Sequence, residues 1–355
     1  MSTLSLPVFD LDAYMRASSE GSCEAQEMCS QLAQCLRDTS CLVVRDPRCP
    51  GEDNDRFLDM MERYFGQASE AKLPEQRPDL HYQVGVTPDG TEVPRVAMDP
   101  AIKKEIAEQP EEHRATMPRG ADLKWRYMWR VGERPKETKF AELNSEPVVP
   151  QGFPEWSQVM DGWGRKMMDA VQVVAEMVAQ GLGLSQGSFT DLMDKGPHLL
   201  APTGSDLEKH AQLGNVFAGY HYDLNFLTIH GKSRFPGLFI WLRNGQRVPV
   251  RIPDGCLLLQ AGKQLEWLTG GDIRAGMHEV VVSPSTLEAV ERARGEGRSL
   301  WRVSSTMFSH VASDRTLTPL GQYARGGASA SYPPVLAGDY VSEELKVINL
   351  AAKGG

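Results

Sequence analysis

The stretch Tyr220-His221-Tyr222-Asp223 decides the fold, because it sets a histidine and a carboxylate two residues apart, ahead of a distant histidine in Met277-His278-Glu279. In an extended strand, residues i and i+2 point to the same side at roughly 6–7 Å separation, so one strand can present both side chains to a single ion. His278 must then come from another strand. The pattern predicts a closed or sandwiched β architecture in which strands distant in sequence lie side by side.

The chemistry of these three residues indicates a metal centre. His221, Asp223 and His278 make up a two-histidine, one-carboxylate set, which leaves coordination positions open on Fe(II) and is used by non-haem oxygenases. We therefore predict that all three are metal ligands and form the catalytic centre.

A third motif, Arg302-Val303-Ser304, suggests a cosubstrate. In a strand, the guanidinium of Arg302 and the hydroxyl of Ser304 project to one face. Arginine suits a buried carboxylate because its fork of donors binds both oxygens. We predict that these two residues hold the far carboxylate of 2-oxoglutarate while its keto-acid end binds the metal.

Composition narrows the class of protein. With 41% hydrophobic and 24% charged residues, the chain is ordinary for a globular protein. Its net charge of −9 argues against broad binding to nucleic acid or anionic lipid.

No run of 18 apolar residues occurs, and Met1 to Asp12 does not read as a signal peptide, so we expect no membrane association and a cytoplasmic location. The six cysteines contain no Cys-x-x-Cys pair, and we expect free thiols.

The pattern of elements predicts an α+β fold with a mainly β core, a double-stranded β-helix or jelly roll, beside a helical layer. Helices are expected at 26–37, 54–72 and, as the longest, Ser157–Leu182, and a helix capped by Ser283 is expected to run to Arg294. Short strands are predicted at 6–11, 41–44, 216–220, 224–229, 238–242, 248–252, 256–260, 280–282 and 301–308.

Four regions are expected to form one compact unit. Residues 1–150 would supply an N-terminal region and substrate-side loops, 151–187 a long packing helix, 188–330 the jelly-roll core, and 331–355 a C-terminal tail.

Several motifs together resemble the iron and 2-oxoglutarate-dependent dioxygenases of the isopenicillin-N-synthase-like superfamily. The opening Leu6–Leu11 is similar to that family's Ile-Pro-Val-Ile-Asp-Leu strand, and Cys41–Val44 resembles its Gly-Phe-Phe-x-Val strand. The further similar stretches are Arg63–Phe65 with Glu70–Leu73, His221–Asp223 with Leu227–Ile229, Pro236–Leu238, and Arg302–Ser304.

The resemblance implies Fe(II), 2-oxoglutarate and O₂ as cofactor and cosubstrates. It implies oxidation of an unactivated C–H bond of a small molecule by hydroxylation, desaturation or oxidative cyclisation, with succinate and CO₂ as coproducts. The chain departs from the family in three places. Leu199–Pro202 lacks the tyrosine that often contacts 2-oxoglutarate, Glu279 follows the distal histidine where arginine is usual, and the helix before Arg302 is longer than the usual loop.

Substrate contacts are predicted from aromatic and cationic side chains that could roof the mouth of the barrel: Tyr82, Arg126, Trp129 and Arg130. They would suit a small substrate that bears a carboxylate or derives from an amino acid. An aromatic strand that packs on the core, with solvated arginines, is the plain alternative. Three other functions stay open: an iron-dependent oxidase that does not use 2-oxoglutarate, a catalytically silent jelly-roll binding protein, and a zinc hydrolase, although no His-Glu-x-x-His motif is present.

Overall fold

A computed structural model of the protein describes residues 6–325 and 328–350. The strands are β1 (Val8–Asp10), β2 (Cys41–Arg45), β3 (Gly85–Thr87), β4 (Trp125–Arg130), β5 (Leu199–Leu200), β6 (Thr203–Asp206), β7 (Val216–His221), β8 (Leu227–Gly231), β9 (Leu238–Trp241), β10 (Arg247–Pro249), β11 (Cys256–Ala261), β12 (His278–Val281), β13 (Trp301–Val303), β14 (Ser305–Ser309), β15 (Thr316–Leu317) and β16 (Val335–Leu336). The α-helices are α1 (Leu11–Ser19), α2 (Cys23–Thr39), α3 (Gly51–Phe65), α4 (Ser69–Lys72), α5 (Arg95–Met98), α6 (Pro100–Glu108), α7 (Trp156–Gly181), α8 (Thr190–Met193), α9 (Leu207–His210), α10 (Lys263–Leu268), α11 (Pro284–Gly295), α12 (Ala328–Ser331) and α13 (Ala337–Val347). Of the helices in these ranges, none combines the length and apolar character that a bilayer crossing requires.

Two sheets form the core. The larger has the order β1-β2-β11-β8-β14-β5-β4-β6-β13, with β3 beside β4, and the smaller has the order β10-β9-β12-β7. Apolar side chains join the sheets at one end, where Val43 and Leu258 of the large sheet cluster with Ile240 and Val248 of the small one. The predicted jelly-roll core is confirmed, and it leaves room for a cavity between the sheets.

Helices cover the large sheet, as predicted. The apolar stripe of α7, spaced at three and four residues, is buried in the main core, and its members are Met160, Trp163, Met167, Val171, Val174 and Val178. At the end of α7, Gly181 lies so close to α2 that a Cβ atom there would be 2.1 Å from the carbonyl oxygen of Cys29. The long helix is therefore held directly against α2.

Two predicted elements are each divided in the structure. The helix expected at 54–72 is divided into α3, which ends at Phe65, and α4, which begins at Ser69. The buried Lys72 ammonium turns back towards the break and donates to the carbonyls of Phe65 (2.6 Å) and Gln67 (3.0 Å). The strand expected at 301–308 is β13 and β14, which pair with different neighbours. The chain changes partners at Ser304, whose backbone N–H and hydroxyl both engage Thr203.

Other local predictions are confirmed. Asn244-Gly245 turns the β9–β10 hairpin, where Gly245 takes the positive φ of 83° that glycine permits. Ser283 caps α11, and its hydroxyl and that of Thr286 each bind the other residue's backbone N–H.

Candidate active site

The structure brings His221, Asp223 and His278 together. His221 ends β7 and His278 begins β12, and the two face each other directly in the antiparallel β7–β12 pair. One ligand atom from each of the three residues lies within 4.8 Å of the others. Oδ1 of Asp223 is 3.6 Å from Nε2 of His221 and 3.7 Å from Nε2 of His278. The three groups can therefore share one ion.

Backbone carbonyls fix the orientation of both imidazoles. Nδ1 of His221 lies 2.6 Å from the carbonyl oxygen of Gly219, and Nδ1 of His278 lies 3.3 Å from that of Gly276. A carbonyl can only accept, so each Nδ1 carries the hydrogen and each Nε2 presents its lone pair towards Asp223. Burial, with repulsion from His278, lowers the pKa of His221 to about 3, which keeps this imidazole neutral and able to bind a metal.

A hydroxyl orients the carboxylate. Thr228, fully buried in β8, donates to Oδ2 of Asp223 at 2.6 Å, which leaves Oδ1 facing the two imidazoles. Burial alone would raise the pKa of Asp223, but the attraction that protonated His278 and His221 would exert on the carboxylate, with the Thr228 hydrogen bond, outweighs it and lowers the pKa. The carboxyl is therefore ionised and ready to act as a ligand.

A cavity of about 450 Å³ opens beside these residues, and both sheets line it. Its volume lies within the range of small-molecule sites. Arg302 and Ser304 line the cavity from the large sheet, opposite the two histidines of the small sheet.

Arg302 is a buried cation, 5% exposed, whose Nε donates to the carbonyl of Pro236 at 3.3 Å. Burial lowers its pKa to about 10, and no nearby acid in the described ranges raises it. Ser304 accepts two hydrogen bonds from Thr203, from the backbone N–H and from the hydroxyl, both at 2.9 Å. With those lone pairs occupied, the Ser304 hydroxyl can donate into the cavity.

Sequence reasoning missed a polar pair on the same wall. Thr306 lies opposite His230 in the β14–β8 pair, and its Oγ1 is 3.0 Å from Nδ1 of that imidazole. Nε2 of His230 lies 3.1 Å from Oε1 of Gln260. The sequence did contain a signal for Thr306. It follows Arg302 and Ser304 at the two-residue spacing that places side chains on the same face of a strand.

The predicted substrate residues fall into two groups. Arg126 lines the cavity. Tyr82 packs against the main core, and the Trp129 indole is buried there and donates to Asp161 at 2.9 Å. Arg130 is turned to the backbone carbonyls of Val131, Glu133 and Lys195. Tyr82, Trp129 and Arg130 do not line the cavity, so the structure gives no support to their predicted substrate contacts.

The predicted C-terminal tail also contributes to the site. Within it, α13 and the residues after it place Glu344, Leu345 and Ile348 in the cavity wall. Glu344 forms an ion pair with Arg95, whose guanidinium lies 4.8 Å above the ring of Tyr222. Tyr222 stands between the two ligand candidates His221 and Asp223, so this helix closes the cavity beside the triad.

Comparison with known proteins shows which family this region is similar to. A sequence model of the 2OG-Fe(II) oxygenase superfamily matches residues 202–311. "2-oxoglutarate-dependent dioxygenase 11" of Oryza sativa subsp. japonica is 22% identical over 210 residues, 58% of this chain and 52% of that protein. The match thus spans about half the length of that relative.

Solved structures show the same fold over nearly the whole chain. A Caulobacter crescentus protein described as belonging to the 2OG-Fe(II) oxygenase family has a TM-score of 0.74 and 20% identity, over 97% of this chain and 99% of its own. A full-length Neurospora crassa protein, solved in complex with alpha-KG, has a TM-score of 0.73 and 17% identity, over 97% of both chains. JOX2, solved with 2OG, Fe and JA, has a TM-score of 0.66 and 15% identity, over 100% of this chain and 88% of its own. Residues 202–311, which carry the three ligand candidates and Arg302, therefore match the sequence model of the 2OG-Fe(II) oxygenase superfamily, and nearly the whole chain shares the fold of the solved structures.

Proposed function

We propose that this protein is an Fe(II)- and 2-oxoglutarate-dependent oxygenase that oxidises an unactivated C–H bond of a small molecule. The observation that carries the proposal is the convergence of His221, Asp223 and His278, with both Nε2 atoms directed at one carboxylate oxygen. Two imidazoles and one carboxylate suit Fe(II) and leave positions open for other ligands.

In this proposal His221, Asp223 and His278 hold the metal. The Gly219 and Gly276 carbonyls and the Thr228 hydroxyl keep the three ligand atoms in place. Such supporting contacts set ligand orientation and raise metal affinity. With 2-oxoglutarate and O₂, a bound ferrous ion supplies C–H oxidation with succinate and CO₂ as coproducts.

Arg302 and Ser304 hold the far carboxylate of 2-oxoglutarate. A buried guanidinium without an acidic partner is costly unless a ligand pairs with it, which supports this role. Thr306 and His230 complete the wall between Arg302 and the triad, where Leu199–Pro202 offers no tyrosine. The 2OG and alpha-KG bound in JOX2 and in the Neurospora crassa protein also support a keto-acid cosubstrate.

The substrate is a small molecule with a carboxylate, such as an amino-acid derivative. The Neurospora crassa protein has been solved with thymine and JOX2 with JA, which supports a compact organic substrate. Placement of the reacting carbon over the triad selects among hydroxylation, desaturation and ring closure. The walls that do this come from the regions 1–150, 188–330 and 331–355, which we propose act with the packing helix of 151–187 as one unit.

Binding of the cosubstrate tests the proposal. We expect 2-oxoglutarate to raise the Tm of the protein when Mn(II) is present and to leave it unchanged in its absence, because a ligand specific for the folded state stabilises it. Asp223→Ala should abolish this dependence, whereas Asp314→Ala, an exposed carboxylate far from the triad in sequence, should retain it.

Turnover separates the alternatives. With Fe(II) and O₂, the wild-type protein should release labelled CO₂ from 1-labelled 2-oxoglutarate. Iron binding without any 2-oxoglutarate binding or decarboxylation would favour the oxidase that takes all its electrons from the substrate. Absence of both metal binding and turnover would favour the silent binding protein and end the proposal.

A further inference from the structure

Arg126 has two donors that no described residue of the protein uses. This residue of β4 is 7% exposed and lines the cavity. Its Nη1 lies 3.1 Å from Oε2 of Glu92. Its Nε and Nη2 are buried and have no hydrogen-bond partner within the described ranges. Those two nitrogens form one edge of the guanidinium, the edge that offers two parallel N–H bonds.

We propose that this edge of Arg126 binds the carboxylate of the substrate, an inference that rests on the oxygenase function proposed above. Buried donors without partners carry a desolvation cost that a ligand with two acceptor oxygens removes. A carboxylate matches the spacing and charge of the edge better than a single carbonyl does.

The neighbouring charges are already paired with one another. Lys124 lies between Glu92 (3.1 Å) and Asp122 (2.8 Å), and both acids line the same cavity. Glu92 thus lies within ion-pair distance of both Lys124 and Nη1 of Arg126. Within this cluster, the Nε–Nη2 edge of Arg126 is the pair of donors that has no partner among the described residues.

An apolar wall adjoins Arg126. Met128, two residues further along β4, clusters with Leu199, Ala201 and Phe308, and all four line the cavity. Phe308 pairs in register with Thr228, the residue that orients Asp223. The wall thus leads from Arg126 towards the triad. The substrate class that fits is a carboxylic acid with a compact apolar body, whose C–H bonds lie near the metal ligands.

The Nε–Nη2 edge has two alternative ligands, 2-oxoglutarate and a water molecule, and each would give a different experimental result. Thr203 pairs with Arg126 across β4–β6 and also contacts Ser304, so the edge could serve 2-oxoglutarate. Thr87 pairs with Arg126 on the β3 side and has a buried hydroxyl with no partner in the described ranges, so a water molecule could bridge the two.

The test compares acids with their amides. Protein loaded with Mn(II) and 2-oxoglutarate is titrated calorimetrically with 3-phenylpropionate, phenylacetate and hexanoate, each paired with its primary amide. We expect at least one acid to bind about 10- to 100-fold tighter than its amide, the range for hydrogen bonds to charged groups. Arg126→Gln should remove this preference. Arg126→Lys keeps the positive charge but lacks the two parallel N–H donors, so it should reduce the preference.

Arg130→Lys is the matched control. Arg130 lies four residues along the same strand, is similarly buried, and binds backbone carbonyls outside the cavity. This variant should keep the preference for acids. Circular dichroism and unliganded Tm values establish that each variant is folded, and the wild-type comparison of acid with amide requires no variant.

Equal binding of every acid and its amide, or no binding of any acid, would overturn the inference in favour of bound water. A fall in 2-oxoglutarate affinity in Arg126→Lys as large as that in Arg302→Lys would overturn it in favour of the cosubstrate. Both results leave the oxygenase function intact. That function fails on a different result, the absence of Mn(II)-dependent 2-oxoglutarate binding in the wild-type protein.

Discussion

The hydroxyl of Thr228 donates to Oδ2 of Asp223 at 2.6 Å, and this single bond decides which carboxylate oxygen faces the two imidazoles. Thr228→Val keeps the volume and removes the donor. We expect Mn(II) affinity to fall by about 10- to 100-fold, as for other residues that orient metal ligands. Isothermal titration with Mn(II) measures the change, and Thr228→Ser, which retains the hydroxyl, should stay near the wild type. An unaltered affinity in Thr228→Val would mean that packing alone holds Asp223.

Arg302 should determine the affinity for 2-oxoglutarate. Its guanidinium is 5% exposed and has no acidic partner in the described ranges, so a carboxylate in the cavity would be its counter-ion. Arg302→Gln should raise the Kd for 2-oxoglutarate by about 10- to 100-fold in the presence of Mn(II). Ser304→Ala, which removes one neutral donor, should have a smaller effect. If the two variants were equally impaired, the charge of Arg302 would not be the main determinant.

The triad could be predicted because strand periodicity and ligand chemistry impose the same arrangement. A two-residue spacing puts His221 and Asp223 on one side of an extended chain, and a third ligand must then come from a neighbouring strand. The structure meets that requirement by pairing His278 directly with His221. The apolar stripe of α7 was equally predictable, since a helix buried along one face needs apolar residues at that period.

Which of the predicted substrate residues reach the cavity could not be predicted from the sequence. This depends on how far β4 extends past the cavity. Arg126 and Arg130 share one face of β4 by alternation, yet only Arg126 reaches the cavity, and Arg130 lies beyond it among backbone carbonyls. The contribution of α13 was hidden for a similar reason. Its apolar residues pack into the main core and its Glu344 pairs with Arg95, and both contacts join residues far apart in the chain.

Protonation of the buried His198 should weaken the fold in acid. The backbone N–H of His310 donates to Nδ1 of His198 at 3.1 Å, and burial, with repulsion from Arg130, lowers the pKa of His198 to about 3. Between the unfolded value of 6.5 and about 3, the unfolded chain binds more protons at this residue. Its contribution to stability is therefore complete above pH 6.5 and is lost as the pH falls.

Urea unfolding between about pH 7 and pH 5 measures this contribution. His198→Asn retains an acceptor for the His310 N–H without a titrating group. Its free energy of unfolding should decline less steeply with acid than that of the wild type, by up to about 1.4 kcal/mol per pH unit. If the free energy of unfolding fell equally steeply with pH in the two proteins, His198 would have the same pKa in the folded and unfolded states.

The contact between α7 and α2 should make Gly181 intolerant of a methyl group. A Cβ atom there would lie 2.1 Å from the Cys29 carbonyl oxygen and 2.8 Å from the Cβ of Ala33, so one helix would have to shift. We expect Gly181→Ala to lower the free energy of unfolding by about 1–3 kcal/mol, the usual cost of overpacking. Gly162 is the matched control, since it lies exposed on the same helix and an added Cβ would meet no atom within 4 Å among the described residues, apart from its chain neighbours and the backbone of its own helix. Gly162→Ala should raise the free energy of unfolding by about 0.5–1 kcal/mol, because alanine favours the helix. Chemical denaturation measures both changes in the free energy of unfolding, and opposite signs would place the constraint at the α2–α7 contact. A stabilising Gly181→Ala would show that the two helices can separate without cost.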